Sequence, residues 1–354
     1  MEKRIPFLFI FIFLLAAIFS GSFLISEIKK FENEISEIFL DQISTSFKKQ
    51  ASPITLFFVG DIMLDRGVEW QVQKDGKGDF KFPFLKIADE LKTDDILIPS
   101  ETRNQGSVER SEAWFLFGNL EGPISDKGRK VGSIYSFRMD PESIEGLKYA
   151  GFDVLSVANN HIFDYGREAM EDTFLRLREA QIDYVGGGFN EKEAYSPVIK
   201  EIRGIKIALL AYTNLGSENW KAQKDRPGIA WLEEERLRED IKTAKEKADL
   251  VIVSFHFGEE YQTKSNSLQK FWAHLSIDSG ADLVIGHHPH VVQEIEEYRG
   301  KYIAYSLGNF IFDQGFSKET MEGLLLKVII ENTKIKEVIP IEIQINKYFQ
   351  PEIP

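Results

Sequence analysis

DLVIGHHPH, residues 282–290, closes a short apolar run on three histidines within four positions, with Pro289 between the last two. The whole chain holds six histidines, so half of them stand at one predicted strand end. Leu, Val and Ile in a run this short read as a strand buried on both faces. Imidazoles at the end of such a strand matter if other strands finish at the same place.

Five further runs have the same character: ITLFFVG (54–60), AWFLFGN (113–119), DVLSVAN (153–159), KIALLAYT (206–213) and DLVIVSF (249–255). Helical patterns separate several of them, most clearly GREAMEDTFLRLREAQ (166–181) and LEEERLREDIKTAKEKA (232–248). Apolar strands alternating with helices define an α/β fold. Two stretches near the C-terminus, 291–308 and 324–345, read as hairpins around turn residues. A mixed sheet or a pair of sheets therefore fits better than a purely parallel one. The polar stretch 99–113 reads as a surface insertion.

Composition narrows the function classes. A chain of 354 residues that is 43% hydrophobic buries a substantial core, which excludes wholesale disorder. A net charge of −13 without a basic block argues against nucleic acid as a partner. The absence of cysteine removes disulfides, thiolate metal sites and cysteine nucleophiles. At the N-terminus, Lys3 and Arg4 precede an uncharged run from Ile5 to Ile25. Twenty-one residues at about 1.5 Å each span roughly the ~30 Å hydrocarbon core of a bilayer. The run is long for a cleaved signal, and Ile18 and Phe19 crowd the places where a cleavage site wants small residues. The expected organisation is a cytoplasmic N-terminus (1–4), a transmembrane signal anchor (5–25), a helical stalk or linker (26–52), the α/β domain (53–346) and a C-terminal tail (347–354). By the positive-inside tendency the protein would be single-pass in the cell membrane, with its C-terminal domain extracytoplasmic.

Metal-ligand residue types follow one strand after another. Asp61 comes after the first, Asn119 and Glu121 after the second, and Asn159, Asn160, His161 and Asp164 after the third. His256, then Glu259 and Glu260, follow the run at 249–255, and His287, His288 and His290 follow the last. Side chains at the carboxyl ends of strands converge in α/β sheets although they are distant in sequence. Each alone reads as a turn or core residue, and His274, in a helical pattern, reads as structural. Together, imidazole, carboxylate and amide without thiolate suit Mn, Fe, Zn or Mg. Arg66, Arg138 and Arg167 are candidates for holding carboxylate or phosphate, since a guanidinium fork matches both.

The blocks GDIMLDRG (60–67), NLEGPIS (119–125), ANNHIFDYG (158–166), HFGEEY (256–261), GHHPHVVQ (286–293) and YSLGNFIFDQ (305–314) resemble the CapA (PgsA) family of poly-γ-glutamate and capsule synthesis. That family is similar in turn to calcineurin-like metallophosphoesterases. The resemblance implies a four-layer α/β/β/α sandwich around two divalent ions. It implies Glu121 as the carboxylate shared between them, with Asn119 beside it on the substrate side. Asn160, His256 and one histidine of GHHPH would complete one ion's ligands, and Asp61 with the remaining histidine would serve the other. The family's His-x-His spacing selects His288 and His290, leaving His287 in support. His161 would protonate a leaving group, with Asp164 orienting its ring. One departure stands out: the phosphoesterase pattern Asp-x-His reads Asp61-Ile62-Met63 here, so Asp65 or water would have to complete that site. The implied partners are the membrane, poly-γ-glutamate or another anionic polymer, and subunits of a synthase or export complex. A non-catalytic polymer-binding or scaffold role is the competing reading.

Overall fold

The computed structural model describes residues 53–92, 114–131 and 134–354. The expected anchor, the stalk and the polar insertion at 99–113 lie outside the described residues. No helix among the described residues is long and apolar enough to cross a membrane.

The strands are β1 (Ile54–Ile62), β2 (Trp114–Leu120), β3 (Val154–Ser156), β4 (Asp183–Val185), β5 (Gly187–Gly188), β6 (Val198–Ile202), β7 (Ile205–Thr213) and β8 (Gly228–Ile229). They continue as β9 (Leu250–His256), β10 (Leu283–His287), β11 (Ile295–Tyr298), β12 (Lys301–Ala304), β13 (Asn309–Ile311), β14 (Glu322–Glu331), β15 (Lys334–Ile345) and β16 (Pro351–Glu352). The α-helices are α1 (Arg66–Lys74), α2 (Ser143–Ala150), α3 (Gly166–Glu179), α4 (Glu191–Ala194), α5 (Glu234–Lys245) and α6 (Ser267–Ser279). All six predicted runs are strands, both predicted helices form, and both predicted hairpins pair, β11 with β12 and β14 with β15.

Two sheets carry the architecture. One runs β16-β15-β14-β1-β2-β3-β4, with β13 also paired to β1; the other runs β11-β12-β10-β9-β7-β6, and β5 and β8 form a small ribbon. Residues 347–354, expected as a tail, instead contain β16, which pairs antiparallel with β15.

Period-two alternation sorts the core into layers. Leu56 and Phe58 of β1 pack with Leu209 of β7, Ile252 of β9 and Ile285 of β10, filling the space between the sheets. Their neighbours Phe57 and Val59 face the other way, against Leu147 of α2 and Phe174 of α3. On the far side, Leu210, Val253 and Val284 pack under Leu237 and Ile241 of α5 and Ala273 of α6. β1, β2, β9 and β10 are buried on both faces because helices cover the outer faces of the sheets, whereas β6, β11 and β15 stay partly exposed.

The segment 305–308 ties the sheets together at their carboxyl ends. Leu307 N donates to Gly286 O (3.2 Å), and Asp61 N donates to Gly308 O (3.0 Å). A Cβ on Gly286 would lie 1.9 Å from Tyr305 O, and one on Gly60 would lie 2.0 Å from Gly308 O. Glycine is required at both contacts because the backbones touch. That contact brings the ends of β1 and β10, and hence Asp61 and the histidines, to one place.

Candidate metal centre

Asp61 and Asn119 are register partners in β1 and β2, as His256 and His287 are in β9 and β10. Asp61 is fully buried; its Oδ1 accepts from Asn119 Nδ2 (2.8 Å) and its Oδ2 from His288 N (3.1 Å). Asn119 Nδ2 also lies 3.2 Å from His256 Nδ1, and His256 Nε2 lies 2.7 Å from Asn160 Oδ1. His290 Nδ1 is 3.0 Å from Asn309 Oδ1, which leaves Nε2 3.5 Å from Glu121 Oε1. Ligand atoms of Asp61, Glu121 and His290 all lie within 4.8 Å of one another, as do those of Glu260, His288 and His290.

Burial sets the electrostatics. Glu121 is fully buried, neither carboxyl oxygen has a hydrogen-bond partner, and its pKa is pushed well above the ordinary value by burial and then by Asp61, Glu260 and Asp164. Burial would raise Asp61 too, but the His287 and His290 imidazoles and the Asn119 amide outweigh it, so Asp61 is held below the usual range. Burial lowers His256 far below its ordinary value, lowers His290, and brings His288 down to about 3. Burial thus favours the neutral imidazole at His256 and His288, the form that ligates metal. His287 Nδ1 is 3.5 Å from Asp61 Oδ1, too far for a good hydrogen bond, and both its ring nitrogens lack such a partner.

Buried polar atoms are normally paired. Glu121 Oε1 and Oε2 and His288 Nδ1 are not, although all three are buried beside other ligand-type groups. Carboxylates, neutral imidazoles and an amide match the donor set of a divalent cation. The residues fit one.

Above this cluster is a cavity of about 370 Å³ lined by residues that include Arg66, Phe137, Asn160, His161, Glu260 and Tyr261. His161 Nδ1 lies 2.7 Å from Asp164 Oδ2, its ring packs on Phe137 (centroids 4.2 Å apart), and its Nε2 lies 3.7 Å from Glu121 Oε1. Asp164 also accepts from Phe137 N (2.8 Å), so the carboxylate that orients His161 is itself fixed. Arg66 forms an ion pair with Asp313, whose other oxygen accepts from Gly67 N (3.0 Å).

The structure brings Asp61, Glu121, Asn160, His161, Asp164, His256, His288 and His290 together, and Arg66 beside them. Other expected positions differ. Asn119, expected on the substrate side, is fully buried beneath Asp61 and His256, because it sits inside β2 where Glu121 lies past its end. Arg138 stacks over Tyr165 (4.3 Å) and Arg167 over Phe163 (5.1 Å); neither lines the cavity. Asp65 is not free to complete a metal site. It caps α1, with Oδ1 accepting from Arg66 N and Oδ2 from Arg138 N, each at 2.7 Å.

Several contributors were given no role from the sequence, although Asn159 was noted at its strand end. Asn159 Oδ1 accepts from His161 N (3.1 Å) and Ile162 N (3.0 Å), which clamps the turn that presents Asn160 and His161. Asn309 fixes the His290 ring, and Asp313, Gln314 and Tyr261 line the cavity. The blocks NNH and GNFIFDQ were the available signals.

Fold and site together define an α/β protein with two facing sheets and a candidate divalent-metal centre where their strands end. The chain belongs to a family described as bacterial capsule synthesis protein PGA_cap, whose model matches residues 105–314. It is 34% identical to the capsule biosynthesis protein CapA of Bacillus anthracis, across 84% of this chain and 69% of that one. It is 33% identical to the PGA biosynthesis protein CapA of Bacillus subtilis (strain 168), across 81% and 70%. Among solved structures it is similar to the calcineurin-like phosphoesterase YfkN from Bacillus subtilis, with a TM-score of 0.41, 13% identity, and 82% and 90% of the two chains covered.

Proposed function

We propose that this protein acts in the synthesis or export of poly-γ-glutamate or another anionic capsular polymer, as a membrane-anchored metal-dependent hydrolase or transferase. The observation that carries the reading is His161. It is held by Asp164 on the cavity wall, with Nε2 directed toward Glu121 at 3.7 Å. Asp61, Glu121, Asn160, His256, His288 and His290 would hold the cations. Bound divalent ions supply charge stabilisation to a phosphoryl or carbonyl oxygen as it becomes more negative. Asp164, 2.7 Å from Nδ1, fixes the His161 ring so that Nε2 can give a proton to the departing oxygen or nitrogen. Arg66, aimed by Asp313, meets a substrate carboxylate or phosphate.

Met63 favours a second reading, a polymer-binding or scaffold subunit of a synthase or export complex. Its thioether replaces a ligand at one site and is a poor match for hard ions. One experiment separates the two: the full-length chain, extracted from membranes and loaded with Mn²⁺, is offered phosphomonoester, phosphodiester and γ-glutamyl amide substrates. Turnover that falls in His161→Ala supports the enzyme. Bound manganese without turnover on any substrate supports the second reading, and no bound manganese refutes a metal centre. The anchor is tested separately: the intact mass of the membrane-extracted protein should include residues 5–25, and a mature N-terminus near residue 21 would refute it.

A further inference from the structure

We propose that Glu260 is a metal ligand that reaches in from the loop after β9 and supplies the coordination that the Asp61-Ile62-Met63 turn lacks. The inference rests on the metal centre proposed above and extends it to a residue outside the Asp, Glu, Asn and His set already assigned.

Nothing on the β1 side fills the position. Met63 is fully buried in the core with Leu64 and Val68, and its sulfur accepts from Asp65 N at 3.2 Å. Both carboxyl oxygens of Asp65 are taken by backbone N–H groups. Asp61, Glu121 and His290 therefore form a group of three, where divalent ions ordinarily take four or more ligands.

The loop after β9 offers the missing oxygen. Glu260 lines the cavity, and one of its carboxylate oxygens lies within 4.8 Å of ligand nitrogens on both His288 and His290. His290 belongs to this group and to the Asp61–Glu121 group, so Glu260 stands next to the incomplete set. His288 Nδ1 supplies an independent sign of a ligand, since it is buried without a hydrogen-bond partner. The loop is fixed where this requires it: Tyr261 N donates to Pro289 O (2.8 Å), stitching the segment to the His288-Pro289-His290 turn. Asn309 holds His290 Nδ1 and leaves Nε2 for the ion. The adjacent carboxylate is excluded. Glu259 turns toward Asn266, whose Nδ2 lies 3.5 Å from its Oε1, and does not line the cavity.

The test is Mn²⁺ titration of the full-length protein by calorimetry, with bound manganese counted by elemental analysis. Glu260→Gln should weaken one class of site by at least about tenfold, since even residues behind the ligands cost that much when lost. Glu259→Gln should titrate like the unmodified protein. Adding Met63→His to Glu260→Gln should restore the lost affinity. Melting curves in EDTA should show one cooperative transition for the unmodified protein, Glu259→Gln and Glu260→Gln alike, because both carboxylates are exposed and the amide oxygen introduced by Glu260→Gln can still accept from the Tyr261 hydroxyl. Glu260→Gln titrating like Glu259→Gln, or both weakening equally, would overturn the assignment while leaving the metal centre intact. An unmodified protein that binds no manganese would overturn both.

Discussion

Replacing Glu121 with Gln should stabilise the metal-free protein and destabilise the metal-loaded one. The carboxyl is fully buried, has no hydrogen-bond partner on either oxygen, and is held well above its ordinary pKa by burial and then by Asp61. The sign follows from linkage. Above the unfolded value of 4.5 the unfolded chain has released this proton while the folded protein still holds it. Folding stability from this group therefore falls as pH rises from there toward the folded pKa, by about 1.4 kcal/mol per pH unit. Glutamine removes that slope. The uncompensated buried amide costs roughly 1–3 kcal/mol, but that offset does not vary with pH. His256 and His288, with lowered pKa values, lose stability as pH falls below 6.5, but both proteins share this and it cancels in the difference. Urea unfolding from pH 4 to 8 in EDTA should give a difference that is flat below about pH 4.5 and then grows in favour of Glu121→Gln. With Mn²⁺ at a hundred times its dissociation constant, the unmodified protein should gain about 2.7 kcal/mol and the variant much less. A difference independent of pH would refute the raised carboxyl. Equal stabilisation of both proteins by manganese would remove Glu121 from the centre.

Three other changes test separate parts. His256→Ala, which removes a buried imidazole held by Asn119 and Asn160, should lower bound manganese and abolish most of the manganese-induced rise in melting temperature; unchanged elemental analysis would refute it. His161→Ala should keep its metal and lose ~10²–10⁴-fold in turnover, with much of that recovered on a substrate with a good leaving group. Metal loss in that variant would instead make His161 a ligand. Gly286→Ala, whose Cβ would lie 1.9 Å from Tyr305 O, should cost more than about 3 kcal/mol in urea unfolding, and a cost under 1 kcal/mol would refute the close contact between the sheets.

What the sequence made legible was position along the chain. Apolar runs with period-two burial located the strands, and polar residues just past them located the site, because a strand end is where the pattern stops and side chains leave the core. Depth and direction were not legible. Asn119 and Glu121 are two residues apart and share a face of β2, yet one lies inside the strand against Asp61 and the other beyond its end. Asp65 looked like a spare ligand because a capping aspartate and a coordinating one have the same local sequence. Glu259 and Glu260 follow a glycine at φ 94° and precede Tyr261 at φ 63°, where no period tells which carboxylate turns inward.

The histidines at 287–290 show the same limit and what resolves it. His287 continues β10 and points into the buried space beside Asp61 and Phe117, as strand alternation requires. His288 and His290 do not continue it: their φ angles are 97° and 58°, in the left-handed region that non-glycine residues pay about 1–3 kcal/mol to enter. Pro289, fixed near −65° and lacking an N–H, separates the two. Packing alone would favour glycine or asparagine at such positions. The strained backbone is what carries two imidazoles over the end of the strand, one with its amide on Asp61 Oδ2 and the other with its ring beside Glu121. A turn with no ligand to hold would gain from relaxing that strain, so His288→Gly should raise the stability of the metal-free protein while removing its response to manganese. A variant destabilised in EDTA would mean that the turn is built for packing and not for the site.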